Sequence, residues 1–412
     1  MGSIWGILVV VAGLVVSVGL HELGHMIPAK RFGALVPEYA IGFGPALARW
    51  RRGGTDYVLR ALPLGGYVRI LGMFAPGSPD RRRSTRSGRP TLAEEARLAS
   101  AGEVPAGLEE RAFHALAWWR KAVVMASGPL VNLVLAFVLL AASMVGVGAP
   151  TPSPLLAEVP ATVMTPSGEV PGPAASAGLR AGDRIVSVAG TPIREWRDIG
   201  AALSSADAGS VEVEAVRGDE RIALSIDAVD NGSGSRLIGV VGSVDYRSAS
   251  LSQVVSAYGA VLSGTASALA RLPVAVWDVG RALFTGAERD ANGLVSVVGI
   301  GRIAGEVTGD SASLGIDSAR QSWGILLSLL ASLNAALGLF NLIPLPPLDG
   351  GHIAGALVEG ARSVIARLRG RTDPGAVDTA RLMPLTYLVG GLLAAMTLLL
   401  VIADIIRPIA LG

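Results

Sequence analysis

The chain has four histidines and no cysteine, and two of the histidines stand in His21-Glu22-Leu23-Gly24-His25. Residues i and i+4 share one face of a helix, so both imidazoles can converge on a single metal ion. Glu22 stands beside the first of them, able to take a proton from water. This is the H-E-x-x-H spacing of zinc sites. A catalytic centre of that kind needs a third protein ligand and one open position. Asp349 is the strongest candidate for the third ligand, in Asn341-Leu342-Ile343-Pro344-Leu345-Pro346-Pro347-Leu348-Asp349-Gly350-Gly351. Three prolines in that run break a hydrophobic helix, and irregular backbone at membrane depth persists only where it lines protein or a cavity. His352 competes as a ligand, whereas His114 lies in a polar segment and reads as a surface residue.

Such residues need elements to hold them, and the composition says of what kind. Of 412 residues, 51% are hydrophobic and 17% charged, which points to a membrane rather than an ordinary soluble fold. The absence of cysteine excludes disulfides, thiol nucleophiles and cysteine-ligated metal sites. A net charge of +2 gives no ground for a nucleic-acid partner. Four segments are long enough to cross a hydrocarbon core of roughly 30 Å: 1–29, which carries the metal motif, 121–148, 323–352 with a broken end that carries Asp349, and 383–410, which tolerates Asp404 and Arg407 near its end. No Lys or Arg precedes Lys30, so the first segment lacks the basic start of a cleaved leader and reads as a retained span. Trp118, Trp119, Arg120 and Lys121 form an interfacial anchor before the second.

Loop charge sets the orientation. Between Pro28 and Trp119 there are 14 Arg plus Lys against 8 Asp plus Glu, while Pro150 to Ser322 has 13 against 19. The loop 30–120 is therefore expected in the cytoplasm, as is 353–382 with its arginines, and the long segment between spans two and three outside. Spans one and three then run the same way and deliver His21, His25 and Asp349 to one depth. A further span within Leu251 to Phe284 would strand Asp349 on the opposite face; Arg271, Pro273 and Asp278 interrupt that stretch, which reads as one or two surface helices against the membrane or the outer domain. Tyr57–Leu62 and Tyr67–Leu71, flanking Pro63-Leu64-Gly65-Gly66, read as a β-hairpin. Pro79 to Gly107, with Arg81, Arg82, Arg83, Arg86 and Arg89, reads as a loosely ordered basic loop suited to an anionic inner leaflet.

Two resemblances follow from these motifs. Ala177-Gly178-Leu179 through Gly182-Asp183 to Gly190, with a helix from Trp196 and a hairpin of Val211–Arg217 and Arg221–Asp227, resembles a bacterial PDZ domain over 155–245, followed by an extracytoplasmic segment 246–322. Such domains bind extended peptides at a sheet edge. The metal motif at the end of the first span, this signature, and N-x-x-P-x-x-x-L-D-G from Asn341 to Gly350 together resemble the site-2 protease family. Gly42-Phe43-Gly44-Pro45, Leu62–Tyr67 and Ser296-Val297-Val298-Gly299 extend the likeness, which is nearest to the bacterial regulators with a single PDZ domain, as in actinobacteria.

That resemblance implies a polytopic α-helical membrane protein with four transmembrane helices, an inserted α/β PDZ domain and a membrane-associated β-hairpin. It implies one Zn2+ per chain held by His21, His25 and Asp349, with Glu22 as catalytic base and Asn341 holding the substrate backbone or the developing oxyanion. It further implies that the hairpin dips into the bilayer of the bacterial cell membrane and offers an edge to substrate at Gly65, Gly66 and Tyr67. The substrate class is a single-pass membrane protein, an anti-sigma factor already shortened outside by another protease. Two other functions are compatible with intramembrane ionisable residues: a metal or ion transporter and a catalytically silent PDZ scaffold. The first is disfavoured by the absence of an inverted repeat and the second by the intact metal motif.

Overall fold

The computed structural model describes residues 2–76, 84, 88–166, 168–206, 209–230, 236–285, 293–309 and 319–406. Four helices among them are long and apolar enough to cross a membrane: Ile4–Arg31, Trp118–Gly148, Ala319–Asn341 and Thr379–Ile406, here the first to fourth spans. The chain divides into two compact units, Met1–Met144 with Ser250–Gly412, and Val145–Ala249.

Small residues let the first three spans approach closely. A Cβ on Gly24 would lie 2.9 Å from Ser127 O and 3.1 Å from the Gly128 Cα, and one on Gly13 would lie 2.7 Å from the Leu330 side chain. The first and second spans are antiparallel: His25 lies over Gly128, and Leu14 and Leu139 share one hydrophobic cluster further along. The first and third run parallel, with Asn334 Nδ2 donating to Ser17 Oγ at 2.9 Å. At the far end Ser143 Oγ donates to Gly324 O at 2.8 Å, tying the end of the second span to the start of the third.

Leu251–Ala270 and Leu272–Leu283 form a helix pair bent by 65°, which by length and composition could make a fifth span. The two ends of the region lie together. The chain enters this region beside Val145, where Ser248 Oγ donates to the Val145 carbonyl, and the third span starts beside Ser143. Both points lie at one end of the second span, so the intervening helices make no net crossing. They pack on the spans themselves: Tyr258 donates to Leu133 O at 2.9 Å and meets the Phe137 ring edge-on, while Val279 clusters with Leu400 and Ala403.

Val297–Gly309 lies along the first span, with Ile300 against Val10 and Ala304 against Gly6. A helix that starts among apolar neighbours leaves backbone N–H groups without partners. Asp404 of the fourth span supplies one, accepting from the Ser296 N–H at 2.5 Å. Far from being a tolerated charge at a span end, Asp404 is 6% exposed and acts as a cap, where a carboxylate also complements the helix dipole. Arg407 lies outside the described residues.

Two other expectations change. Part of the stretch 79–107 is an ordered helix, Leu92–Glu103: Thr91 caps it, Glu94 and Glu95 occupy its first turn, and Arg97 pairs with Glu94 and Asp378. Arg81, Arg82, Arg83 and Arg86 lie outside the described residues. The hairpin expected from Tyr57–Leu62 and Tyr67–Leu71 does not form. Glu38–Ile41 lies between the two segments, pairing with Asp56–Leu59 on one side and with Gly66–Arg69 on the other. The tight turn is instead Gly53-Gly54, both with positive φ (56° and 76°), which joins Ala46–Arg52 to Thr55–Arg60. Gly42 and Gly44, at φ 88° and 83°, let the first strand fold over on itself, and a Cβ on Gly42 would meet Leu62 O at 2.6 Å.

The second unit is a twisted sheet ordered Val241–Arg247, Ala149–Glu158, Arg184–Val188, Ser210–Arg217, Glu220–Asp227. Its alternating strands bury Leu156, Ile185, Val188, Val213 and Ile226 against Ile199 and Leu203 of the helix Trp196–Ser205. A capping box of Glu195 and Asp198 starts that helix. Asp183 is fully buried and accepts from the Arg180 N–H at 2.8 Å and from Arg217 Nε and Nη2 at 2.7 and 2.8 Å.

Candidate metal centre

His21 and His25 stand one turn apart on the first span, with Nε2 atoms 3.1 Å from each other. Asp349 Oδ2 lies 3.3 Å from each of them. Zinc with four ligands at roughly 2.0–2.1 Å has donor-to-donor edges of about 3.3–3.4 Å. The three atoms thus already outline one face of such a tetrahedron. Two imidazole nitrogens at this separation repel each other unless a proton or cation lies among them, and the buried Asp349 Oδ2 has no hydrogen-bond partner among the described residues. The donor set fits zinc and leaves the fourth position open.

The backbone explains how a carboxylate reaches two histidines of another span. The third span ends at Asn341, and Leu342–Leu348 turns sharply before a new helix begins at Asp349. A Cβ on Gly350 would lie 2.1 Å from Ile343 O, and one on Gly351 2.7 Å from Pro346 N, so both positions require glycine for the turn to close. The new helix, Asp349–Leu368, occupies much of what reads from sequence as a loop. Lys121 holds it to the second span, with Nζ 2.8 Å from both Glu359 carboxylate oxygens, and Gly360 lies under the Trp118 ring. This ion pair is buried, and it fixes the helix whose first residue is Asp349.

The second span also orients His25. Its Nδ1 lies 2.7 Å from Val124 O; a carbonyl only accepts, so Nδ1 carries the proton and Nε2 keeps its lone pair for a metal. Gly128 makes room for the ring, since a Cβ there would lie 2.2 Å from His25 Nε2.

A cavity of about 400 Å3 opens on this cluster, lined by His21, Glu22, His25, Tyr67, Val68, Arg69, Met125, Asp349 and His352 among others. Glu22, beside the first imidazole, faces the Val68 backbone amide. Gly66 packs on Glu22: a Cβ there would meet Ala40 O at 2.9 Å, Val18 at 3.1 Å and Glu22 Cγ at 3.4 Å. Gly65, at φ 103°, turns the chain into that strand. Tyr67 directs its hydroxyl elsewhere, donating to Glu38 at 2.7 Å while accepting from Arg60 at 2.9 Å. Among the described residues, no second strand pairs with the outer edge of Gly66–Arg69, so the cavity is walled by a free strand edge.

Not every expected residue gathers here. Asn341 ends the third span, half-buried and outside the cavity lining. His114 is turned away, its Nδ1 3.0 Å from Gly72 O. His352, three residues after Asp349 on the same helix face, does line the cavity. Reading the sequence from its reactive residues finds the second span but not its part in the metal centre, although Gly128-Pro129 inside a long apolar helix is a visible signal of close packing.

Comparison with known proteins places the same metal chemistry in the chain's relatives. The model of peptidase family M50 matches residues 9–373. Zinc metalloprotease Rip1 of Mycobacterium bovis is 33% identical over 441 aligned positions, covering 100% of both chains. Rip1 of Mycolicibacterium smegmatis is 31% identical with 98% of each chain covered, and metalloprotease MmpA of Caulobacter vibrioides is 29% identical, covering 82% of this chain and 83% of its own.

Proposed function

The chain belongs to peptidase family M50, the site-2 proteases, and is a membrane zinc metalloprotease; from that premise we propose that it hydrolyses a peptide bond in or beside the transmembrane segment of single-pass proteins. The observation that carries this reading is the free edge of Gly66–Arg69 on the same cavity as Glu22 and the His21, His25, Asp349 cluster. A transmembrane helix hides its amides in internal hydrogen bonds and must unwind before one can be cut. An unpaired strand edge stabilises the unwound form by pairing with it.

In this mechanism His21, His25 and Asp349 hold the metal, which when bound supplies Lewis acidity to the scissile carbonyl. The Glu22 carboxylate takes a proton from the attacking water and returns it to the leaving amine. The Gly66–Arg69 edge aligns the substrate backbone, and Gly66, having no side chain, lets that strand sit against Glu22. Asn341, which ends the third span before the loop Leu342–Leu348 closes on Asp349 and lies outside the cavity lining, keeps the role the resemblance implies, toward the substrate backbone or the oxyanion.

The loop charges support a bacterial cell-membrane orientation with the metal centre toward the cytoplasm and residues 145–249 outside. There the second unit acts as a PDZ domain that admits partly trimmed substrates, an anti-sigma factor being the class the resemblance favours. In support, Val241–Arg247 is an edge strand with Val241 and Val244 exposed beside the helix that starts at Trp196. The test is purified zinc-loaded protein in proteoliposomes with a panel of single-pass substrates and soluble control chains, comparing wild type with Glu22→Gln. Cleavage within the membrane segment by wild type alone is expected. Equal cleavage by both proteins removes Glu22 as the base, and cleavage confined to soluble chains removes the proposed substrate class.

A further inference from the structure

The two imidazoles of the metal centre are supported unequally. His25 has its Nδ1 proton engaged by Val124 O at 2.7 Å. His21 is buried too, yet its Nδ1 has no hydrogen-bond partner among the described residues. Burying a polar N–H without a partner is costly, and a metal-bound histidine whose second nitrogen is unheld can rotate and change tautomer. On the second span Asn132 is 1% exposed, and its Oδ1 likewise lacks a partner among the described residues.

One orphan is a donor and the other an acceptor, and the register of the two helices brings them to the same level. His25 lies over Gly128, Gly24 packs on Ser127 and Gly128, and Leu14 and Leu139 pack against one cluster further along, so along this antiparallel seam His21 stands level with Asn132. His21 is one turn before His25 and Asn132 one turn after Gly128, and each shares a helix face with the residue four positions away. Gly338 of the third span completes the layer, a Cβ there lying 2.8 Å from Leu133 and 3.0 Å from Pro129 O. A small residue at this point leaves room for an amide to turn toward the ring.

We propose that Asn132 is a positioning residue for the metal centre, its Oδ1 accepting from His21 Nδ1–H so that Nε2 faces the metal. It does for His21 what the Val124 carbonyl does for His25. The inference rests on the assignment of His21 as a metal ligand. A polar side chain between spans can also serve only to join helices, and the experiment separates the two roles.

Full-length protein is purified as wild type, Asn132→Leu, Asn132→Asp and His21→Ala. Zinc retention is measured against a graded chelator, the visible absorption of the cobalt-substituted forms is recorded, and thermal unfolding is followed on each. Expected is a loss of metal affinity of about 10–100-fold for the leucine variant, with a changed cobalt spectrum, and recovery of both in the aspartate variant, which keeps an acceptor. A leucine variant with wild-type retention and spectrum overturns the proposal, as does an aspartate variant that is folded but as impaired as leucine. If the leucine variant does not fold, Asn132→Ser, whose hydroxyl is too short to reach the ring, carries the same expectation and the same refutation. Wild-type zinc retention in His21→Ala would instead remove the ligand assignment beneath it; loss there with none in the leucine variant removes only the role of Asn132.

Discussion

Gly128→Ala adds one methyl group to the second span and should empty the metal centre. The new Cβ would lie 2.2 Å from His25 Nε2, 2.5 Å from Cε1 and 2.8 Å from Cδ2. Non-bonded carbon contacts sit near 3.5 Å, so the ring or the helix must yield by more than ~1 Å. The ring has nowhere to go without breaking the 2.7 Å bond to Val124 O and opening the triangle whose edges are 3.1 and 3.3 Å. Moving the helix is no easier, because Gly24 already packs on Ser127 and Gly128 at contact distance. Metal ligands tolerate displacements of only about 0.2 Å, and a misplacement of about 1 Å near the chemistry costs on the order of 100-fold in rate. The assay is zinc per chain by elemental analysis together with cleavage of a single-pass substrate, with thermal unfolding to exclude global collapse. Gly259→Ala is the control: it sits in the helix Leu251–Ala270 with no described residue within 4 Å of its Cβ position, so helix propensity alone acts, favourably by up to about 1 kcal/mol. A Gly128→Ala protein that keeps one zinc and wild-type cleavage would refute the packing argument.

Gly66→Ala should depress cleavage while leaving zinc content unchanged, because its Cβ meets the Ala40 carbonyl at 2.9 Å and pushes the strand edge rather than the ligands; loss of zinc in this variant would count against that separation. Asp404→Leu removes the acceptor for the buried Ser296 N–H and should cost about 1–3 kcal/mol, read as faster hydrogen exchange across 293–309, whereas Asp404→Asn should retain most of the protection. In the second unit, the hydrogen bonds from Arg217, assisted by the Arg180 amide, hold the Asp183 carboxyl below its ordinary range. A depressed folded-state value stabilises the unit above the unfolded value near roughly 4, and that contribution disappears as pH falls through the folded one. Asp183→Asn should therefore destabilise residues 145–249 by about 2–3 kcal/mol at neutral pH, and the gap from wild type, followed by hydrogen exchange, should close in acid.

What could be read from residues alone followed physical law with short reach. Two histidines four apart on a helix must share a face, and three prolines in four positions must end one, so His21, His25, Glu22 and Asp349 were legible from spacing. The strand edge was harder. Pro63-Leu64-Gly65-Gly66 has the composition of a turn, but a turn joins the segments beside it only if no third strand competes, and Glu38–Ile41 does compete. Gly53-Gly54, the two-residue hairpin turn, was the stronger local signal. Asp404 shows a different limit, since a carboxylate near a span end is cheap if it reaches water and structural if a helix start lies beside it; only the fold tells which. The second span shows the deepest limit. Val124 contributes through a carbonyl, Gly128 through the side chain it lacks, and Asn132 through an amide whose level along the seam only the packing sets, so none stands in a spacing that reveals its part. The helix that carries no ligand decides which nitrogen of each histidine faces the metal, and substitutions there should disturb the metal centre as surely as those in His21-Glu22-Leu23-Gly24-His25.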